Sequence, residues 1–174
     1  MAYPVYYLQC DPALRTKQIE ITRSQVGTRE TGKNRGAVEK YCRSSGIPLG
    51  SPYCASGIYW SFDTAAHSLG YTSSYIPLPK TGLANGMYVY AAKKGKQLAG
   101  SYRAGDLIVW RNGSTVFGHI GQIMQRLKAG WIRTIEYNTG SPAEREGDGV
   151  YCKLRNVLHP LGRMRTRGFI TFRK

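Results

Sequence analysis

Cys54, His119, Glu136 and Asn138 are the residues of this chain whose types and spacing could support nucleophilic chemistry. A thiol in the first turn of a helix lies among unpaired backbone N–H groups and at the positive end of the helix dipole. Both favour the thiolate, and a neighbouring imidazolium favours it further. An imidazole within reach can carry protons to and from the reacting group, and a carboxylate or carboxamide behind it fixes its orientation. In that scheme Cys54 is the nucleophile, His119 the general base and acid, and Glu136 or Asn138 the group that orients the ring. Each also has a plainer explanation: a small core thiol, a satisfied buried histidine, a surface charge on an edge strand.

The elements that must position these groups are readable in outline. A helix is expected from Cys54 to about His67 or Ser68, ending before Gly70, because Ala55, Ile58, Tyr59, Phe62, Ala65 and Ala66 recur at spacings of three and four. Pro52 suits a helix start just after it, which puts Cys54 in the first turn. Residues 13–26 read as an amphipathic helix closed by Gly27, and residues 37–45 as a shorter one closed by Gly46. Residues 71–105 are less regular, with a short helix expected around 83–93. From Asp106 the period changes: residues 105–110, 115–124, 131–138, 149–154 and 168–173 are short apolar or alternating runs separated by turn residues, and read as strands. Helices first and strands afterwards predict an α+β domain in which N-terminal helices pack on a C-terminal antiparallel sheet.

One hairpin gives a geometric expectation. With a turn centred on Leu127 to Ala129, facing residue numbers sum to about 256 or 257, so His119 lies near Asn138, with Glu136 as its diagonal neighbour. Diagonal neighbours on one face are roughly 7–8 Å apart, within reach of long side chains. Gly121, opposite Glu136 in that register, leaves room for the imidazole and carboxylate to meet. A slip of one residue would break this alignment.

Composition narrows the function classes. A net charge of +15 calls for a polyanionic neighbour, whether nucleic acid, anionic lipid or an acidic wall polymer. With 41% hydrophobic and only 20% charged residues, the chain can bury a core, so wholesale disorder is unlike it. No apolar run approaches the roughly 18–20 residues of a membrane span, and the amino terminus lacks the pattern of a secretory signal peptide. Cys10, Cys42, Cys54 and Cys152 form no C-x-x-C pair, and His67, His119 and His159 form no H-x-x-x-H, so no zinc module is expected and at most one disulfide. The apolar strands lack the basic-aromatic signature of the common RNA-binding sheets.

The local sequences resemble those of the CHAP family, the cysteine- and histidine-dependent amidohydrolases/peptidases of the papain-like superfamily that cut peptidoglycan. The resemblance begins at SQVGTRE (24–30), passes through GKNRGAVEKYCRSSGIP (32–48) and reaches SPYCASGIYW (51–60), which looks like the nucleophile motif. GDLIVW (105–110), GHIGQI (118–123) and IEYNTG (135–140) follow in the family's order, and GDGVYCKLR and GFITF look like its closing strands. The resemblance covers about residues 15–173. It implies a papain-like fold with the nucleophile at a helix N-terminus, Cys54 as nucleophile, His119 as general base and acid, and Glu136 and Asn138 behind the histidine. Which of the two orients the ring stays open, since the family shows both residue types there.

Residues 42–58 contain neither Asp nor Glu, so the calcium loop that some members carry is not expected, and neither is any other metal or cofactor. The whole of 1–174 is expected to be a single catalytic domain with no separate wall-binding domain. The resemblance implies bacterial peptidoglycan as substrate, cut within the peptide or cross-bridge, or between muramic acid and L-alanine. The basic surface adds anionic wall polymers or lipopolysaccharide as partners. No dedicated nucleic-acid site, no transmembrane segment and a monomeric state are expected. Such a protein would be made in the cytoplasm and act at the wall or periplasm after phage-type release or injection. Competing readings are a catalytically silent wall-binding or virion structural protein, a basic nucleic-acid-binding domain, and an amidase acting on a small peptide conjugate.

Overall fold

The residues that start and stop each helix account for most of the helical boundaries. The computed structural model describes residues 3–140 and 147–174. Helix α1, Pro12–Ser24, opens on Asp11, whose side chain accepts from the Leu14 N–H at 3.0 Å, with Pro12 at the first helical position. A single 3-10 turn, Gly36–Val38, leads into α2, Glu39–Ser45, which stops at Gly46 in the left-handed conformation (φ 70°). Helix α3 is Cys54–Ser68, within the bounds expected from its apolar spacing, and α4 is Ala84–Lys94.

The strands are β1 (Val5–Gln9), β2 (Lys96–Leu98), β3 (Leu107–Arg111), β4 (Gly118–Arg126), β5 (Trp131–Thr139), β6 (Gly149–Asn156) and β7 (Arg165–Arg173). They form one seven-stranded sheet in the order β2-β1-β7-β3-β4-β5-β6. Strands β3 to β6 make an antiparallel meander, and β7 returns to pair with β3. The α+β class stands, but the sheet is mixed, not purely antiparallel, and not wholly C-terminal, because β1 pairs in parallel with β7 and β2 pairs with β1. The aromatic and β-branched run VYYLQ suits a strand. Its partner lies at the opposite end of the chain, a pairing that no local pattern announces.

Alternation along the strands separates two apolar layers. On the helical side, Leu107, Val109, Ile120, Ile135, Tyr137, Ile170 and Phe172 pack with Ile58 and Phe62 of α3. On the other side, Val5, Ile108, Trp110, Ile123, Ile132 and Phe169 form a second cluster closed by Val157. The β4–β5 hairpin has the expected register: Gln122 faces Ile135 and Ile123 faces Thr134, with an irregularity between Ile123 and Gln125 shifting the pairing beyond.

Asp106, just before β3, accepts the Arg103 N–H at 2.9 Å and also ties Thr171 and Arg15 together from a fully buried position. All four cysteines are free thiols.

Helix α3 is pressed onto β5 at Gly57, where a Cβ would lie 2.2 Å from the Tyr137 ring. Gly57→Ala is therefore expected to destabilise the protein by about 1–3 kcal/mol through overpacking. Thermal unfolding would register it as a fall in Tm of about 2–4 °C per kcal/mol.

Candidate active site

Cys54 begins α3, and the segment before it is anchored from two directions. The Tyr53 hydroxyl donates to Glu30 Oε1 at 2.9 Å while its ring stacks on Tyr41. Glu30 Oε2 accepts the Asn34 N–H at 2.7 Å, and the Asn34 carboxamide donates to the Gly50 carbonyl at 3.0 Å. Residues 27–30 in turn run along the outer edge of β6, exchanging backbone hydrogen bonds with Asp148 and Val150. The glycine-bearing loop between α1 and α2 is thus a brace from the sheet edge to the helix start. Burial, with Glu30 beside it, pushes the Tyr53 hydroxyl far above its ordinary pKa, so Tyr53 stays neutral and acts as a packing and anchoring group.

His119 is the second residue of β4 and is nearly buried. Its Nε2 lies 3.0 Å from Glu136 Oε2, and Cys54 lies close enough to its side chain to raise its pKa. With Nε2 engaged by the carboxylate, Nδ1 is the ring nitrogen left for the thiol. The ring stacks on Trp110, its cross-strand partner on β3, at 5.7 Å between centroids and 24° between planes. Gly121 provides the space for this meeting, since a Cβ there would come within 2.9 Å of Glu136 Cγ.

Glu136 is fully buried and each of its oxygens has two partners. Oε1 accepts from Arg155 Nε at 2.8 Å and from the Thr134 hydroxyl at 2.6 Å. Oε2 accepts from Arg155 Nη2 at 2.7 Å and lies against His119. Burial alone would raise the carboxyl pKa, but the Arg155 fork and His119 outweigh it and hold Glu136 well below the usual carboxylate range. For His119, burial works against the charged form, yet the hydrogen bonds and charges of Cys54 and Glu136 prevail and push its pKa up from 6.5 to about 9.

Of the residues singled out from sequence, the structure hydrogen-bonds His119 to Glu136 and sets Cys54 beside the imidazole. Asn138 stands apart: it has a left-handed backbone (φ 52°) beside the irregularity in the β5–β6 pairing, and its side chain makes no hydrogen bond among the described residues. Glu136 therefore holds the imidazole. Sequence reasoning missed Arg155, Thr134 and Trp110. Trp110 could have been found by aligning the β3–β4 hairpin, whose register sets it opposite His119. Arg155 lies on β6 and reaches Glu136 diagonally across a register that begins only after a long connection. Among the described residues no group of three or more His, Cys, Asp or Glu side chains is arranged to hold a metal ion.

Residues 46–138, just over half of the chain, match the family model of the CHAP domain. The chain belongs to the CHAP family. No curated protein and no solved structure matches it. The matched CHAP segment contains Cys54, His119, Glu136 and Asn138, whereas Arg155 lies beyond its end. Membership places the chain among the peptidoglycan-directed amidases and peptidases, which makes it a hydrolase by family.

Because His119 has a raised pKa in the folded state, the stability it contributes is present in full below about pH 6.5 and is lost as pH rises through about 9. Removing the facing charge in Glu136→Gln is expected to lower the His119 titration midpoint. NMR titration of the imidazole checks this, and an unchanged midpoint would show that Glu136 does not govern the ring. Arg155→Met leaves a buried carboxylate without its fork and should destabilise the fold by about 3–5 kcal/mol, read by denaturant unfolding.

Proposed function

We propose that this chain is a cysteine-dependent hydrolase of amide bonds in bacterial peptidoglycan, with Cys54 as nucleophile, His119 as general base and acid, and Glu136 as the residue that orients His119. The observation that carries the reading is the placement of Cys54, at the start of α3, beside an imidazole that is itself hydrogen-bonded to a charged, fully satisfied Glu136. Asn138 is a polar neighbour of lesser weight. On this reading the architecture is papain-like.

The reaction follows from the positions of the groups. The Cys54 thiolate attacks the amide carbonyl carbon, forming a C–S bond and an oxyanion. The oxyanion is held in part by the Cys54 backbone N–H, one of the free donors at the start of α3, where the first intrahelical bond runs from the Gly57 N–H to the Tyr53 carbonyl. As the C–N bond breaks, imidazolium His119 gives its proton to the departing amine, leaving a thioester. Neutral His119 then takes a proton from water, hydroxide adds to the thioester, and the C–S bond breaks to release a carboxylic acid, which gives its proton to solvent, leaving the Cys54 thiolate and imidazolium His119 as at the start. Glu136 holds the ring in one tautomer and stabilises its charged form, while Trp110 supports it from the stacked face. Peptide or cross-bridge bonds are the favoured targets over the muramoyl–L-alanine bond, with action at the wall after release from the cytoplasm.

Mass spectrometry of muropeptides from purified peptidoglycan tests the reading, since new amine and carboxyl ends report both the activity and the bond. Cys54→Ala is expected to abolish product, and His119→Ala to reduce turnover by at least about 10²-fold. Lysis that is indifferent to Cys54→Ala would instead assign a wall-binding or structural protein. Activity should fall on the alkaline side as pH passes about 9, where His119 loses the proton it must deliver.

A further inference from the structure

At the end of the sheet that carries His119, the pairing of β3 with β7 gathers three arginines. Arg111 faces Arg165 directly across the two strands, an arrangement that places like charges side by side and destabilises a sheet. Val109 faces Gly168 and Trp110 faces Thr166, so Arg167 is the extra residue of a β-bulge between them. Bulges redirect side chains, and this one sets the Arg167 guanidinium over the Tyr88 ring of α4, 4.5 Å from its centroid.

None of the three arginines has a carboxylate partner among the described residues. Arg111 donates through Nε to the Thr115 carbonyl at 2.7 Å and through Nη2 to the Ser114 carbonyl, which fixes its direction without neutralising it. Arg165 is exposed, and its side chain makes no hydrogen bond or ion pair among the described residues. Arg167 Nη1 is buried and has no acceptor there. Burial lowers the Arg167 pKa, and the charge of Arg111 lowers it further, so these two cations repel one another. Two opposed like charges, a bulge aiming a third and an orphaned buried donor all cost stability. An oxyanion between them would offset each cost.

We propose that Arg111, Arg165 and Arg167 form a binding site for the phosphate groups of an anionic wall polymer. Guanidinium forks match phosphate oxygens in pairs, and three cations at one strand end exceed what a single carboxylate would neutralise, which favours a chain of closely spaced phosphodiesters. The net charge of +15 supplies long-range attraction to such a polymer. Arg111 faces Gly118, next in sequence to His119, so the cluster sits at the same end of the sheet as the candidate active site. The choice of a wall polymer over other phosphate carriers rests on the peptidoglycan reading above.

The test measures retention of the full-length Cys54→Ala protein on purified sacculi, either intact or stripped of phosphodiester polymers by hydrofluoric acid. Intact sacculi are expected to bind at least about tenfold more tightly. Arg165→Ala and Arg167→Ala should each weaken binding severalfold and flatten its salt dependence, by analogy with the loss of one phosphate contact. Arg133→Ala on β5 should leave binding within about twofold. Arg165→Ala removes no side-chain hydrogen bond or ion pair among the described residues and is expected to keep the fold, and Arg167→Lys separates loss of the fork from loss of charge. Equal binding to stripped sacculi, or binding insensitive to Arg165 and Arg167, overturns the proposal. So does duplex DNA that displaces the protein more effectively than the wall polymer at equal phosphate concentration. Binding by the Cys54→Ala protein does not depend on catalysis, so the absence of muropeptide products from the native protein would count against the hydrolase reading alone.

Discussion

A fully buried carboxylate stays charged only if the protein replaces the water it has lost, and Glu136 imposes that condition on everything around it. Four contacts meet it: two from the Arg155 fork, one from Thr134 and one from His119. Desolvating two ions is expensive, and the attraction between them repays it only when geometry is good and the remaining lone pairs are satisfied. Three adjacent strands must hold their register to deliver these groups together. His119 comes from β4, Glu136 and Thr134 from β5, and Arg155 from β6. Cys54 and the charge fixed on Glu136 together favour the protonated form of a nearly buried imidazole.

The thiol is brought to this sheet-borne assembly by a second set of constraints. Gly57 lets α3 approach Tyr137 on β5, the residue next to Glu136, so the helix is pinned directly behind the strand that carries the carboxylate. The loop that runs along β6 and binds Tyr53 through Glu30 fixes where α3 begins. Helix start and strand end are thereby located by packing and by hydrogen bonds that are independent of each other. Agreement between the two is what preorganises a site.

Asp106 repeats the logic of Glu136 at the other end of the molecule. Buried and supplied with donors from Arg103, Arg15 and Thr171, it binds α1, β3 and β7 together, and none of these partners is a Cys or His. The contrast shows why a buried carboxylate alone says little about chemistry. What distinguishes Glu136 is that one of its partners can pass a proton onward.

The local patterns of the chain carried a large part of this. Apolar spacing marked α3 from Cys54 to about Ser68, Gly46 marked the end of α2, and the short turn between β4 and β5 pointed to a register, confirmed by the pairing of Gln122 with Ile135, that puts Glu136 beside Gly121 and within reach of His119. These are short-range signals, set by helix period, glycine conformation and hairpin geometry. The parallel pairing of β1 with β7, the reach of Arg155 across from β6, the choice of Glu136 over Asn138 and the meeting of Cys54 with His119 were decided only in three dimensions. They join residues far apart along the chain, or depend on which side chain the bulged end of β5 turns inward, and the energy that selects them exists only once the surrounding surface has been buried.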